Sequence, residues 1–331
     1  MNPIHPIRAA VPCRACLSGE DLDWLGGGRS VTLALGLMTT VEVGPGPGPG
    51  PGEEGTEDSW QREVWAFLRA RLPGLAPRPP AVTVRSEAPA ASGLSSSTAR
   101  IVALFRAFAD TSLRGRRVSD ATITQWAYEF EFAVFNGGGM DHLAVVEGGA
   151  LLLDGRERGL PAIRDRLEFP EQWRVVVVDS GTRKDTRHHI RDVRAQLAAG
   201  DPALAAYRSV TDEASGRVWE ALRCRDLAEL GAAMADAHEA MRDHQRMSTP
   251  FLEELRTVAL RSAGLPLKLS GAGGGGALVG ICPADEAAET VARLARALLV
   301  SHPGARVVPA TAAPGARREP VPVAGGQRKG S

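Results

Sequence analysis

The run Pro89-Ala90-Ala91-Ser92-Gly93-Leu94-Ser95-Ser96-Ser97-Thr98-Ala99 gathers residue types suited to holding an anion. It leaves a β-prone stretch, Ala81-Val82-Thr83-Val84, and enters a helical pattern of apolar residues at Ile101, Val102, Leu104, Phe105 and Phe108. Gly93 permits a tight turn, and three serines stand where the helix begins. Unpaired N–H groups, nearby hydroxyls and the positive end of the helix dipole make such a place a site for a nucleotide phosphate. No Gly-Lys-Ser/Thr follows the glycine, so this is not a Walker loop. A Ser-capped helix of no further purpose has the same local pattern, and other segments must decide between the two.

Three such segments carry chemistry. Glu20, Asp21 and Asp23 crowd carboxylates into one turn, followed by Trp24. Gly138-Gly139-Met140-Asp141-His142 sets a carboxylate after a glycine run, and Lys268-Leu269-Ser270-Gly271-Ala272-Gly273-Gly274-Gly275-Gly276 forms a second glycine-rich turn. An acidic cluster alone is commonly a solvated surface turn, and a glycine run alone is commonly a flexible loop. Cys13 and Cys16 form a C-x-x-C pair without a second pair to complete a metal site, so they read as structural. His142, His188, His189, His238 and His244 show no metal-ligand spacing.

The elements that must position these groups follow from periodicity and punctuation. Strands are expected at Ile7–Leu17, Ser30–Val43, Leu151–Asp154, Arg174–Asp179, Ala277–Ile281 and Ala305–Val308. Helices are expected at Trp60–Arg71, Val118–Ala133, Arg187–Ala198, Val218–His238, Pro250–Ala263 and Asp285–Leu299. Gly44–Gly52 alternates Gly with Pro and reads as an exposed loop outside any ladder. Gly155–Gln172 reads as a linker between lobes. The expected organisation is an N-terminal lobe over 1–165, a C-terminal lobe over 166–310 and a disordered tail over 311–331.

The bulk properties narrow the function classes. At 331 residues two lobes are the natural expectation. Acidic and basic residues balance at 39 each, which excludes a charge-driven nucleic-acid or membrane-surface partner. No apolar run approaches the ~20 residues that span a bilayer, and the first residues show no signal-peptide pattern. Four scattered cysteines are no disulfide framework, and the chain reads as cytoplasmic.

In order along the chain, these segments resemble the motifs of the GHMP kinases. Pro89–Ala99 is similar to the family pattern Pro-x-x-x-Gly-Leu-x-Ser-Ser-x-Ala, and Gly271–Gly275 to its Gly-Ala-Gly-Gly-Gly run. Gly138–His142 resembles the galactokinase segment that carries the catalytic aspartate. Arg14, Gly19, Glu20 and Asp23 match the galactokinase signature Gly-Arg-x-x-x-x-Gly-Glu-His-x-Asp-Tyr. There Cys13, Asp21 and Trp24 replace its first glycine, its histidine and its tyrosine. The resemblance spans about Val11 to Ile281.

The resemblance implies an α+β fold of two lobes with the active site in the cleft between them. It implies an ATP- and Mg²⁺-dependent sugar 1-kinase whose altered sugar motif points away from galactose. An unusual sugar is expected, neutral at the end that meets the acidic turn, such as a higher-carbon or already phosphorylated sugar of bacterial nucleotide-sugar or antibiotic biosynthesis. Pro89, Ser92, Gly93, Leu94, Ser95, Ser96, Ser97, Thr98, Gly273 and Gly274 fall in the ATP-binding segments. Ser97 and Glu131 are the metal ligands it implies, with Glu129 as the alternative to Glu131. Asp141 and Arg14 are its catalytic pair, with Asp141 acting either as a base or as a group that orients the hydroxyl.

Glu20, Asp21, Asp23, Trp24, Gly139 and Asp141 would hold the sugar. Carboxylates accept through two oxygens and suit vicinal diols, whereas Trp24 would stack on the sugar or fill the core. The basic loop after Asp179, with Arg183 and Lys184, is a candidate for holding a distal phosphate on the acceptor. A kinase of a non-sugar alcohol and a non-catalytic ATP- and sugar-binding sensor are the rival readings. The resemblance is compatible with a monomer or a homodimer.

Overall fold

The computed structural model describes residues 7–48, 56–89, 92–112, 117–135, 138–183 and 186–320. In the first half, strands β1 (Ile7–Ser18) and β2 (Arg29–Pro47), helix α1 (Thr56–Arg69) and strand β3 (Pro80–Ser86) precede helix α2 (Ser96–Ser112). Helices α3 (Asp120–Phe135) and α4 (Met140–Glu147) and strands β4 (Ala150–Asp154) and β5 (Ala162–Leu167) follow. The second half begins with β6 (Trp173–Asp179), α5 (Thr186–Ala199), α6 (Pro202–Cys224), α7 (Leu227–Gln245) and α8 (Pro250–Ala263). It closes with β7 (Lys268–Leu269), β8 (Ala277–Pro283), α9 (Ala287–Ser301), β9 (Arg306–Ala310) and β10 (Arg317–Pro320).

Two antiparallel sheets organise these elements. The first has the order β10-β1-β2-β4-β5, with β3 on the far half of β2, and the second has the order β7-β8-β6-β9. β1 is buried along almost its whole length, as its apolar sequence requires, and Pro12 is tolerated at a register shift in its pairing with β2. α2 is the central helix of the first lobe: Ile101, Val102, Leu104, Phe105 and Phe108 are all inaccessible to solvent. Hence the helix whose start faces the site is locked into the core. α6 and α7 pack on β1 from the second half of the chain and tie the lobes together.

Four expectations need correction. β2 continues to Pro47, which pairs with Pro80, and Gly48 N donates to Pro79 O. Proline keeps its carbonyl and is tolerated where the ladder frays at a sheet edge; residues 49–52 lie outside the described residues. The expected linker contains β5, an edge strand with Arg164, Asp165 and Arg166 at its centre and hence no apolar signal. The expected helix Val218–His238 is two helices. Arg225 adopts a left-handed conformation, and the Asp226 carboxylate caps α7 by accepting from Glu229 N. That break lacks the Gly or Pro that marks most helix ends.

The expected tail returns to the first sheet: β10 pairs with Ile7–Ala10 of β1, and Ala313 N donates to Ala34 O. Its arginines and glutamate suit an edge strand and hide it from a hydrophobicity reading. Residues 321–331 lie outside the described residues. No described helix is long and apolar enough to cross a membrane.

Candidate active site

One cavity takes lining residues from both lobes: the Glu20–Trp24 turn, the start of α2, α3, the start of α4, the start of α5 and the glycine-rich turn. Its floor is built on backbone geometry. Gly93 and Ser95 both have positive φ, 84° and 58°, a conformation that costs a serine energy and persists only where its surroundings hold it. The glycine-rich turn supplies part of that hold. Ala277 N donates to Ser92 O at 2.6 Å, and a Cβ on Gly276 would stand 2.6 Å from the same carbonyl. Leu94 is buried, and its carbonyl accepts from Arg14 N at 3.0 Å.

Ser95, Ser96, Ser97 and Thr98 line the cavity at the first turn of α2, whereas Pro89, Ser92 and Leu94 shape the loop from behind. Gly273 and Gly274, with φ of 78° and 73°, also stand behind the lining, where Gly274 N donates to Met247 O. From that segment Gly271 and Ala272 reach the cavity.

Arg14 and Asp141 meet as expected. Arg14 is buried on β1, and Asp141 sits in the first turn of α4, a helix that the glycine run before it hides from sequence. Arg14 Nε donates to Asp141 Oδ1 at 2.7 Å, and its Nη2 lies 2.6 Å from the same oxygen. Ser95 Oγ donates to Asp141 Oδ2 at 2.5 Å. Burial works against the Arg14 charge, but Asp141, with Cys16 and Glu20 nearby, raises the guanidinium above its ordinary pKa. Arg14 Nη1 also donates to Gly93 O at 2.6 Å, so one guanidinium joins the serine-rich loop to the aspartate.

The acidic turn is internal rather than solvated. Glu20 pairs with Lys268 Nζ at 2.5 Å. Asp21 accepts from Trp24 Nε1 through Oδ1 and faces His189 Nε2 at 2.6 Å through Oδ2. Asp23 Oδ2 accepts from Met140 N at 2.9 Å, and Gly138 is needed there because a Cβ would collide with that carboxyl. Burial pushes the Asp23 carboxyl up to about 7, opposed by the Met140 N–H and reinforced by Asp141. Trp24 lines the cavity with the Arg194 guanidinium 5.1 Å from its ring centre, whereas Gly139 is buried against Leu160 behind the lining.

At the far side of the serine-rich loop, Thr98 Oγ1 donates to both Glu131 oxygens, at 3.1 and 3.0 Å. His142 Nε2 lies 2.8 Å from Glu131 Oε2, off the line of a good hydrogen bond. Glu131, Ser97, Thr98 and His142 all line the cavity. Glu129 points elsewhere, to Arg71 at 3.2 Å and to Gln125. Glu131 and the hydroxyls beside it are hard oxygen donors, the set that suits Mg²⁺.

Lys268, His189 and His142 are the site groups that sequence reasoning left without a role. Lys268 precedes the glycine motif directly, and His142 follows Asp141, so adjacency was their available signal. His189 had none, since only the fold brings α5 to the Asp21 turn. Of the basic run, His189 lines the cavity, whereas Arg183 is exposed outside that lining and its carbonyl backs onto Gly275. Lys184 lies outside the described residues.

Comparison with known proteins agrees with this architecture. The GHMP kinases N terminal domain matches residues 61–149, and GHMP kinases C terminal matches residues 218–299. The chain belongs to the GHMP kinases, on their galactokinase-like side, and is accordingly an ATP-dependent phosphotransferase with an alcohol group as acceptor. It is 29% identical over 271 residues to a galactokinase of Mycobacterium bovis (strain BCG / Pasteur 1173P2), covering 71% of this chain and 74% of that one. Lactococcus lactis galactokinase complexed with galactose superposes with a TM-score of 0.76 at 16% identity, over 94% of this chain and 95% of that one. L. major mevalonate kinase in complex with R-mevalonate superposes with a TM-score of 0.74 at 21% identity, over 93% and 96%. These two structures share the fold.

Proposed function

We propose that the chain is an ATP- and Mg²⁺-dependent sugar 1-kinase that phosphorylates the anomeric hydroxyl of a neutral aldose. The observation that carries this reading is the charge pairing of the cavity. Asp141 faces Arg14, Glu20 faces Lys268, Asp21 faces His189 and Glu131 faces His142. The carboxyl of Asp23, which accepts from the backbone N–H of Met140, is pushed by burial toward the neutral form. A site so compensated favours an uncharged, many-hydroxyl acceptor. An acid such as mevalonate needs a cation at its carboxylate, and the guanidinium of Arg14 and the ammonium of Lys268 each already face a carboxylate.

In this reading the first turn of α2 offers N–H groups and hydroxyls to the phosphates of ATP. Glu131 with Ser97 or Thr98 would hold Mg²⁺, which when bound neutralises phosphate charge. Asp141 receives the acceptor's hydroxyl. Its Oδ1 is held by Arg14 and its Oδ2 by Ser95, so it is fixed and aimed, and it orients the hydroxyl in line for attack. Arg14 offsets charge on the nucleophilic oxygen.

Asp21 serves the site indirectly, by fixing Trp24 and His189 as walls. That wall differs from the galactokinase motif at Asp21 and Trp24, which supports an aldose other than galactose. Its 1-phosphate would be ready for conversion to a nucleotide sugar, in keeping with a role in nucleotide-sugar or antibiotic biosynthesis. The intact Arg14–Asp141–Ser95 clamp favours turnover over a sensor that only binds. ADP release over a panel of aldoses, with mevalonate and homoserine as rivals, tests the proposal. Turnover of an aldose, abolished by Asp141→Ala, is the expected result, and turnover of mevalonate alone would refute it.

A further inference from the structure

We propose that Lys268 is the positioning residue of the acceptor site. It holds Glu20 by one carboxylate oxygen and leaves the other to receive a hydroxyl of the acceptor. The inference rests on the reading of this cavity as the site of an alcohol acceptor.

Lys268 lies on β7 of the second sheet and Glu20 in the turn that follows β1 of the first, and they are 0% and 2% exposed. The ammonium has three protons, and three acceptors surround it: Glu20 Oε1 at 2.5 Å, Leu269 O at 2.7 Å and Cys16 O at 3.3 Å. Glu20 Oε1 also accepts from Gly271 N at 3.3 Å. The two Glu20 oxygens are therefore unequal. Oε2 is buried and meets no strong hydrogen-bond donor among the described residues; the Cys16 thiol, a weak donor, lies within reach of the Glu20 carboxyl, and Glu20 lines the cavity. A buried carboxylate oxygen without a strong donor is costly. A hydroxyl donated from the cavity satisfies it, with Lys268 setting the angle at which it waits.

The base of Lys268 is itself held. Leu269 N donates to His238 Nδ1 at 3.1 Å, and Arg256 Nε donates to Leu267 O at 2.8 Å. His238 Nε2 in turn lies 2.7 Å from Glu253 Oε1. Accepting at Nδ1 fixes the ring as the neutral Nε2–H tautomer, and burial lowers the His238 pKa to about 4, so the His238 ring carries no charge at neutral pH. On the other side of Lys268, Ser270 Oγ accepts from Cys16 N at 3.1 Å. A two-residue strand is thereby pinned on both flanks, as a positioning device needs.

The test is steady-state kinetics of the full chain on a panel of aldoses, mevalonate and homoserine, using whichever alcohol the wild type phosphorylates. Turnover of mevalonate alone would refute the sugar reading and still allow Lys268 to be tested on that alcohol. Lys268→Met is expected to raise the acceptor KM about tenfold or more, as loss of a charge-assisted contact does. The KM for ATP should stay within about twofold, because the hydrogen bonds of the Lys268 ammonium go to Glu20, Leu269 and Cys16 rather than to the described residues of the serine-rich loop.

Glu20→Gln should raise the acceptor KM in the same way. The double variant should be no worse than the worse single one, since both act through one oxygen. An unchanged acceptor KM in Lys268→Met, or multiplying effects in the double variant, would overturn the proposal and leave a purely structural ion pair. Should Lys268→Met fail to fold because Glu20 is left as a buried unpaired charge, the double variant removes that charge. It is then read alone: a raised acceptor KM supports the proposal, and an unchanged one overturns it.

Discussion

The two halves of the cavity are built on different principles. The half we propose for phosphate, from Gly93 to Thr98, consists of backbone turns, hydroxyls and the start of one helix. The acceptor half, from Glu20 to Trp24, consists of charged side chains whose partners lie 168 and 248 residues away, at His189 and Lys268. Arg14 stands between them, touching Gly93 O on one side and Asp141 on the other. A phosphate is the same ligand in every such enzyme and suits a fixed backbone cradle. Acceptors differ, and a wall of paired side chains can change one pair at a time.

This contrast can be broken most forcefully at the junction. Asp141→Ala should lower kcat by about a thousandfold, within the 10²–10⁴ range of a positioned proton acceptor. It should leave the ATP KM nearly unchanged, as measured by ADP release. Arg14→Lys keeps the charge but loses the geometry that reaches Asp141 and Gly93 together, and about a hundredfold loss in kcat is expected.

Moving into the phosphate half, Glu131→Gln should raise the Mg²⁺ concentration for half-maximal rate roughly tenfold or more, as loss of a ligand or its supporting partner does. Glu129→Gln, whose carboxylate faces Arg71, should leave the Mg²⁺ titration unchanged. Equal effects from both would remove Glu131 from the metal site.

The acceptor half makes a prediction about pH. Asp23 has a folded pKa of about 7 against an ordinary 3.8, because burial disfavours its charge. Its neutral form is therefore the one the fold prefers. Its contribution is fully present below about 4 and is lost as pH rises through 7. Asp23→Asn should flatten the fall in Tm between those values, and 1 kcal/mol corresponds to about 2–4 °C in a chain of this size. A variant whose Tm falls with pH as steeply as the wild type would show that Asp23 is not the group responsible. The smallest effect is expected at Arg183, outside the cavity: Arg183→Ala should leave the acceptor KM within about twofold.

The same contrast explains what the sequence could show. The phosphate loop is a contiguous signal of Gly93, three serines and an apolar helix, and each part lies where its local chemistry placed it. Arg14, Asp141 and the carboxylates of the acidic turn were likewise visible through their motifs. Their pairing was not. Nothing near Glu20 announces Lys268, and nothing near Asp21 announces His189, because these contacts exist only once the sheets and α5 are folded together.

Thr98 was placed among the ATP-binding residues, but its bond to Glu131 depends on the side-by-side packing of α2 and α3. In the fold, the errors fell where polar sequence forms edge structure. β5 and β10 carry arginines, and the Gly-Pro end of β2 continues a ladder that proline usually interrupts. The split between α6 and α7 relies on one left-handed arginine and one aspartate cap.

The central claim is that Asp141 directs the anomeric hydroxyl of a neutral sugar to the γ-phosphate of ATP. Phosphorus NMR of the product formed from the best aldose of the panel tests it most directly. The account predicts a phosphate monoester whose phosphorus couples to the anomeric proton, and no such product with Asp141→Ala. Phosphorus coupled to the protons of a primary carbon, or the same product from the Asp141→Ala enzyme, would contradict it.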